Sequence, residues 1–243
     1  PRKEHDPGMK VLFTAAEAVP FAKVGGLADV MGSLPAALRA RGIDARVIMP
    51  GYGFIPHFKY GISLLFTFQF HHRLGSTDVH VYSCTRDGVP VYFIQAWPYF
   101  GQDGAVYSDW DWDVPRFIFF NQVIMAAVDE LQARLGWFPD VIGCNDWHTG
   151  LIPFLVSEYR EQGRWANVAT LITIHNIAYQ GNGVGGFLWN AGVSGRHHPT
   201  LDALGLSDNL LGIAIAYADI VTTVSPRYAT EIQYPHAGFE LSD

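Results

Sequence analysis

The segment that most restricts the fold lies near the start of the chain. Residues 10 to 16, KVLFTAA, form a short apolar run without polar alternation, as expected of a strand buried on both faces. The run ends in Glu17 and a loop that carries Pro20, Lys23, Gly25 and Gly26. Leu27, Val30, Met31, Leu34, Ala37 and Leu38 then recur at helical spacing as far as Gly42, and a second apolar run, ARVIMP, fills 45 to 50. Strand, glycine loop, helix and strand in this order predict a doubly wound, Rossmann-like α/β domain, with a mostly parallel sheet and helices on both faces.

Three β-rich pieces follow, at 62 to 70, 79 to 84 and 89 to 96, separated by turn residues that include the Arg86-Asp87-Gly88 corner. They predict antiparallel hairpins inserted into the parallel unit. A helical pattern runs from Pro115 to about Leu135, with Phe117, Phe120, Ile124, Ala127 and Leu131 on one face. The β-α alternation then returns, with PDVIGCND, NVATLITIHN and DIVTTVS as strands and helices at Thr149 to Tyr159 and Asn209 to Tyr217. The glycine-rich stretch 181 to 195 reads as a mobile surface loop. No internal repeat or linker divides the chain, so residues 9 to 243 read as one domain.

Composition narrows the function. With 49% hydrophobic and 16% charged residues the chain can bury a core and is not a disordered segment. A formal charge of −7 leaves no basic footprint for nucleic acid or an anionic membrane. Cys84 and Cys144 are too few for a disulfide framework, which suits a reducing compartment, and no apolar run reaches the roughly 18 residues of a membrane span. Residues 1 to 8 are polar and precede Met9, and they read as a leader or a cloning remnant rather than a signal peptide.

Three motifs carry the chemistry. In Lys23-Val24-Gly25-Gly26-Leu27-Ala28-Asp29 the glycines let the backbone approach a ligand, the helix N-terminus offers amide hydrogens, and Lys23 adds a full charge. A phosphate or diphosphate suits that site. The alternative is a tight turn with a solvated lysine, in which Asp29 favours the helix dipole. The spacing matches neither GxGxxG nor a GxxxxGK[ST] loop, and no acidic residue closes the second strand, which disfavours a dinucleotide oxidoreductase. Asn145-Asp146-Trp147-His148 and His175-Asn176, the latter followed by Tyr179, each end a buried strand, and ligands of open α/β sheets bind at strand carboxyl ends. Carboxylate, amide and imidazole beside the aromatic rings Trp147 and Tyr179 suit a sugar. The competing structural roles are a helix cap for Asp146 and a core histidine at 175. Ser225-Pro226 reads as a helix start rather than a nucleophile. The adjacent pairs His71-His72 and His197-His198 point to opposite faces of an extended chain, so no metal site is expected. Tyr107 to Asp113, a dense aromatic and acidic cluster, reads equally as a glucan contact or as a cap of the following helix.

In order and spacing, KVLFTAAEAVPFAKVGGLADVMGSLPAALRARGIDARVIMPGY, PDVIGCNDWHTGLIP, TLITIHNIAYQG and ADIVTTVSPRYATEI resemble the N-terminal half of bacterial glycogen synthases and plant starch synthases. The resemblance implies a GT-B architecture of two Rossmann-like domains. It implies retaining transfer of glucose from ADP-glucose, or UDP-glucose, to the non-reducing end of an α-1,4-glucan, with no metal or other cofactor. It also implies roles. Lys23, Gly25 and Gly26 would face the donor diphosphate, and Asp29 would position the acceptor. Asp146 and His175 would line the glucosyl subsite, with Trp147, His148, Asn176 and Tyr179 as neighbouring lining. Glu17 would order the glycine loop. The remaining donor contacts belong in that family to a C-terminal domain, so the chain alone is expected to be inactive and to need that domain in cis. Two segments depart from the family pattern: Gly212 stands where lysine is common, and Trp112-Asp113 replaces an Asp-Asn pair. The alternatives are a transferase of the same architecture acting on sucrose or a sugar phosphate, and a non-catalytic glucan-binding module. A bacterial cytoplasm is the expected location, with a plastid as the other possibility.

Overall fold

The structure is a computed structural model that describes residues 8 to 242. The polar segment read as a leader therefore lies, up to residue 7, outside the described residues. Eight strands form one sheet. In chain order the elements are β1 (Lys10–Thr14), α1 (Gly26–Arg39), β2 (Asp44–Pro50), α2 (His57–Tyr60), β3 (Ser63–His72), β4 (Gly75–Arg86), β5 (Val89–Gln95) and α3 (Trp110–Leu135). They continue with β6 (Val141–Asn145), α4 (Ile152–Tyr159), β7 (Ala169–Ile174), α5 (Gly185–Asn190), α6 (Pro199–Leu204), α7 (Leu210–Tyr217), β8 (Ile220–Thr223), α8 (Pro226–Glu231) and α9 (Pro235–Gly238).

The sheet order is β3-β4-β5-β2-β1-β6-β7-β8. From β1 the chain steps outward through β2 to the three strands on one side, then returns to β6 and steps outward the other way. Right-handed crossovers running in opposite directions place their helices on opposite faces, which makes the sheet doubly wound. The point where the direction reverses lies between β1 and β6, paired in parallel from Val11↔Val141 to Thr14↔Cys144. Both strands are buried, as their unbroken apolar runs predict.

The three β-rich pieces pair as expected, β3 with β4 and β4 with β5 in antiparallel register. They lie within the main sheet. β5 pairs in parallel with β2 from Val47↔Val91 to Pro50↔Ile94, so the hairpins extend the main sheet and only β4 runs against it. The Asp87-Gly88 corner has φ of 50° and 77°, as a two-residue hairpin turn of the primed type requires.

Two expectations are corrected. The long helix begins at Trp110, not at Pro115, and so takes in the second half of the aromatic and acidic cluster. Pro115 stands one turn inside and has no N–H to return to Asp111. Tertiary bonds hold the turn regardless. The Arg116 guanidinium, 1% exposed, donates to Asp113 at 2.6 Å, to Asp103 at 2.9 Å and to the Val106 carbonyl at 2.7 Å. The glycine-rich stretch 181 to 195 is not an open loop either: it contains α5, with Val184, Leu188 and Val193 buried. Apolar side chains placed between the glycines outweigh the glycine count.

The Arg116 cluster fixes the wall that leads into α3. Removing the guanidinium leaves two buried carboxylates uncompensated, a loss that typically costs about 3 to 5 kcal/mol. Arg116→Met should lower unfolding free energy in urea by that order, and an unchanged midpoint would refute this role.

Candidate functional site

The direction reversal leaves a crevice outside the carboxyl ends of β1 and β6, and a cavity of about 470 Å³ occupies it. Four segments line it. After β1 come Glu17 and Val24 to Leu27. After β6 come Asp146, Trp147 and His148, and after β7 come His175, Asn176 and Tyr179. Tyr107, Ser108, Trp110 and Asp113 complete the wall at the start of α3.

The glycine loop is held by a single carboxylate. Glu17 is 4% exposed. Its Oε2 accepts from the Val24 and Gly25 backbone N–H at 2.5 and 2.9 Å, and its Oε1 accepts from the Tyr107 hydroxyl at 2.7 Å. Burial and this neighbouring carboxylate push the Tyr107 phenol up, so it remains a donor. The expected ordering role of Glu17 is what the geometry provides. Gly25 is changed by it, because its N–H faces Glu17 rather than a ligand. The amides left for an anion are those of Gly26 and Leu27, in the first turn of α1, where no intrahelical acceptor exists.

Lys23 and Asp29 do not line the cavity. They pair with each other at 2.7 Å at the solvent surface, with side chains 52% and 56% exposed. An ion pair this exposed is worth about 0 to 1 kcal/mol, so either partner can leave it for a ligand.

At the end of β6 the chain turns sharply. Asp146 has φ 54° and ψ −173°, a region in which side chains are strained by of order 1 to 3 kcal/mol. The turn aims the Asp146 carboxylate across to the end of β7, where it accepts from the His175 and Asn176 N–H at 2.7 and 3.2 Å. It caps no helix. Burial pushes its pKa up to about 6, and the two N–H donors hold it back from rising further.

His175 is half-buried and lines the cavity. Its Nε2 lies 2.8 Å from Asn145 Oδ1. The Asn145 amide nitrogen already donates to the Thr14 and Gly143 carbonyls, so Oδ1 must be the acceptor and Nε2 must carry the hydrogen. Burial pulls the imidazole pKa down to about 4, against the opposing field of Glu17. His175 is thus neutral at pH 7, with Nδ1 as a hydrogen-bond acceptor. His148 is also neutral. Burial, with Arg116 nearby, pulls its pKa down to about 3, and its ring stacks on Tyr107 at 4.9 Å. The turn that carries it is stapled by Asn121, which takes the His148 carbonyl on Nδ2 and the Leu151 and Ile152 N–H on Oδ1.

The aromatic lining differs from expectation. Trp147 is 5% exposed, wedged against Phe117 and Trp110, with Gly181 so close that a Cβ there would meet Trp147 Cε3 at 3.2 Å. It shapes the wall and offers no free face. The accessible rings belong to Tyr179 and Trp110. The sequence reading did not include Asn145, Tyr107, Ser108, Trp110 and Asp113 among the site residues. The last four fall in the cluster read equally as a cap or a glucan contact; Asp113 accepts from Ser108 and Arg116 while lining the cavity, and the Asp109 side chain makes no cap bond to α3. No group of three or more His, Cys, Asp or Glu side chains able to hold a metal ion occurs among the described residues.

Residues 10 to 243 match the family model described as the starch synthase catalytic domain. The chain belongs to that family. A glycogen synthase of Exiguobacterium sibiricum is 38% identical over 240 residues, and one of Streptococcus sanguinis is 41% identical over 238, each alignment covering 96% of this chain and 48% of the relative. The chain thus spans about half the length of the curated relatives it matches. Among solved structures, the catalytic domain of starch synthase IV from Arabidopsis thaliana, bound to ADP and acarbose, superposes with a TM-score of 0.83 at 30% identity, over 97% of this chain and 48% of that one. A sucrose-phosphate synthase from Thermosynechococcus elongatus shares the fold alone, with a TM-score of 0.51 at 15% identity over 93% of this chain and 44% of that one.

Two measurements check the site. In Glu17→Ala the Val24 and Gly25 amides lose their acceptor, so hydrogen exchange at residues 24 and 25 should accelerate by at least about tenfold, as loss of roughly 1 to 3 kcal/mol of local protection implies. Unchanged exchange would separate Glu17 from the loop. By NMR the His175 imidazole should stay neutral down to about pH 4. Because its folded pKa lies below the unfolded value near 6.5, it should subtract stability as pH falls from 6.5 toward 4. A titration midpoint near 6.5 would contradict the buried, Asn145-bonded ring.

Proposed function

We propose that this chain is the acceptor-side half of a retaining glucosyltransferase that moves glucose from ADP-glucose to the non-reducing end of an α-1,4-glucan. The observation that supports this best is the crevice itself: free helix-terminal amides on one wall face neutral and acidic sugar-hydroxyl partners on the other. The glycogen synthase relatives, and a structural neighbour bound to ADP and acarbose, favour a nucleoside diphosphate and a glucan over other ligands.

In this reading the bond between glucose C1 and the donor diphosphate breaks with its electron pair going to the diphosphate oxygen, and the new bond forms to an acceptor hydroxyl, whose proton passes to the departing diphosphate. Negative charge gathers on the diphosphate. The Gly26 and Leu27 amides meet it at the start of α1, and Lys23 leaves its surface partner to add a full charge. Asp29, released by the same exchange, becomes available to acceptor hydroxyls. On the glucosyl side the Asp146 carboxylate and the neutral His175 Nδ1 accept sugar hydroxyls, with His148, Asn176 and Tyr179 beside them. No step draws on a metal ion or a protein nucleophile. The other wall of the cleft and the base contacts are supplied by a second domain in cis, so this half alone does not turn over. The bacterial relatives favour a cytoplasmic setting.

Residues 1 to 243 alone should show no glucosyl transfer from radiolabelled ADP-glucose to glycogen, whereas the chain extended to the length of its relatives should. Measurable turnover by the shorter chain would overturn the two-wall requirement. A panel of ADP-glucose and UDP-glucose against glycogen, fructose 6-phosphate and fructose distinguishes a glucan synthase from a sucrose-type enzyme. In the extended protein, Lys23→Ala should lower kcat by at least about tenfold, within the range for losing one charge-stabilising donor, and leave the melting temperature unchanged. Intact kinetics would return Lys23 to the role of a solvated turn residue.

A further inference from the structure

A second concavity lies on the same rim of the sheet. β3 and β5 run in the direction of β1, so their carboxyl ends open on the side that carries the first cavity. Between them and the start of β4 runs a groove of about 630 Å³, continued by a recess of about 250 Å³ that shares His72, Leu74 and Tyr99 with it.

With Leu74, equally exposed, its most exposed feature is Trp97, at 71% exposure. The residue does not sit on a loose loop. Ala96 and Phe100 exchange two backbone hydrogen bonds of 3.0 Å beneath it, and Phe100 is buried, so the ring is presented on a closed, rigid turn. Holding a large apolar ring in water has no folding benefit, whereas a preorganised platform lowers the cost of binding. Around it, the side chains of Asp78, His80 and Gln102 and the indole N–H make no hydrogen bond among the described residues. Asp78 is the only acidic or basic side chain in the lining apart from the histidines. A flat ring among unpaired hydroxyl-binding groups, with almost no charge, fits a neutral polyol better than a protein or a nucleic acid.

The groove and the first cavity share no lining residue and lie on either side of the first turn of α3. Tyr99, in the groove, lies parallel to Trp112 at 5.9 Å, and Trp110, one turn edge away on α3, leans on Trp147 at 5.7 Å in the cavity wall. The first turn of α3 thus separates two sites on one rim with aromatic rings on both sides. We propose that this groove is a second binding site for an α-1,4-glucan, engaging a part of the chain remote from the reacting end. The proposal rests on the reading of the first cavity as a glucosyl-transfer site.

The test is native affinity electrophoresis of the 243-residue chain in gels containing amylopectin, with dextran as control, for the parent, Trp97→Ala and Trp97→Leu. Trp97 is exposed, so both variants should melt with the parent. Retardation of the parent by amylopectin but not by dextran, with the dissociation constant raised about tenfold in both variants, is the expected result. Equal retardation of parent and Trp97→Ala overturns the site, while leaving the transfer reading to the donor and acceptor panel. Parent-like binding by Trp97→Leu overturns stacking on the indole face. A parent not retarded by amylopectin overturns the groove as a glucan site outright, again without bearing on donor chemistry.

Discussion

The carboxylate of Glu17 joins three parts of the chain that lie far apart in sequence. It stands just beyond β1, holds the backbone of the glycine loop by two amides, and reaches the Tyr107 hydroxyl ahead of α3. A buried carboxylate is tolerable only when its lone pairs are filled, and here backbone and phenol donors fill them. The arrangement has a consequence for binding. Because two loop amides are already committed, the first turn of α1 is left as the place where an arriving anion finds unpaired hydrogens. The loop is therefore shaped before any ligand comes, and its free donors are restricted to one spot.

On the opposite wall, burial governs protonation. His175 and His148 are kept neutral and Asp146 is pushed toward its acid form, each chiefly because the surroundings solvate charge poorly. The same poor solvation strengthens any hydrogen bond or charge attraction made inside the cavity. The strained turn at Asp146 supports this wall: it bends the carboxylate over to the end of β7, so that β6 and β7 deliver their terminal residues to one point. Strain of this size survives where the neighbouring ladder fixes the backbone on either side, as the Asp146 N–H bond to the Thr173 carbonyl does.

Much of this was readable from residue patterns. The apolar runs of β1, β2, β6 and β7 mark strands buried on both faces, and the reversal of strand order follows once helices alternate with them. The location of Asp146 and His175 at strand carboxyl ends is a property of sequence position, so their convergence on one rim was predictable. Other features were not readable. Trp147 looked like a stacking face and is a wall, because Gly181 and Phe117 close on it from segments distant in sequence. The stretch 181 to 195 looked like a loop because glycine weakens every local signal, while burial of Val184 and Leu188 comes from contacts that no local window contains.

The sequence by itself determined the architecture and which ends of which strands carry polar residues, since both follow from hydrophobic period and chain order. Only the tertiary structure decided what those residues can do. Gly25 is silenced by Glu17, Lys23 rests on Asp29, the Asn145 amide chooses the tautomer of His175, and Arg116 fixes the wall around Tyr107. Each of these is a pairing between groups whose distance is set by folding, and hydrogen-bond and charge energies fall off within a few ångströms, so spacing along the chain carries no record of them.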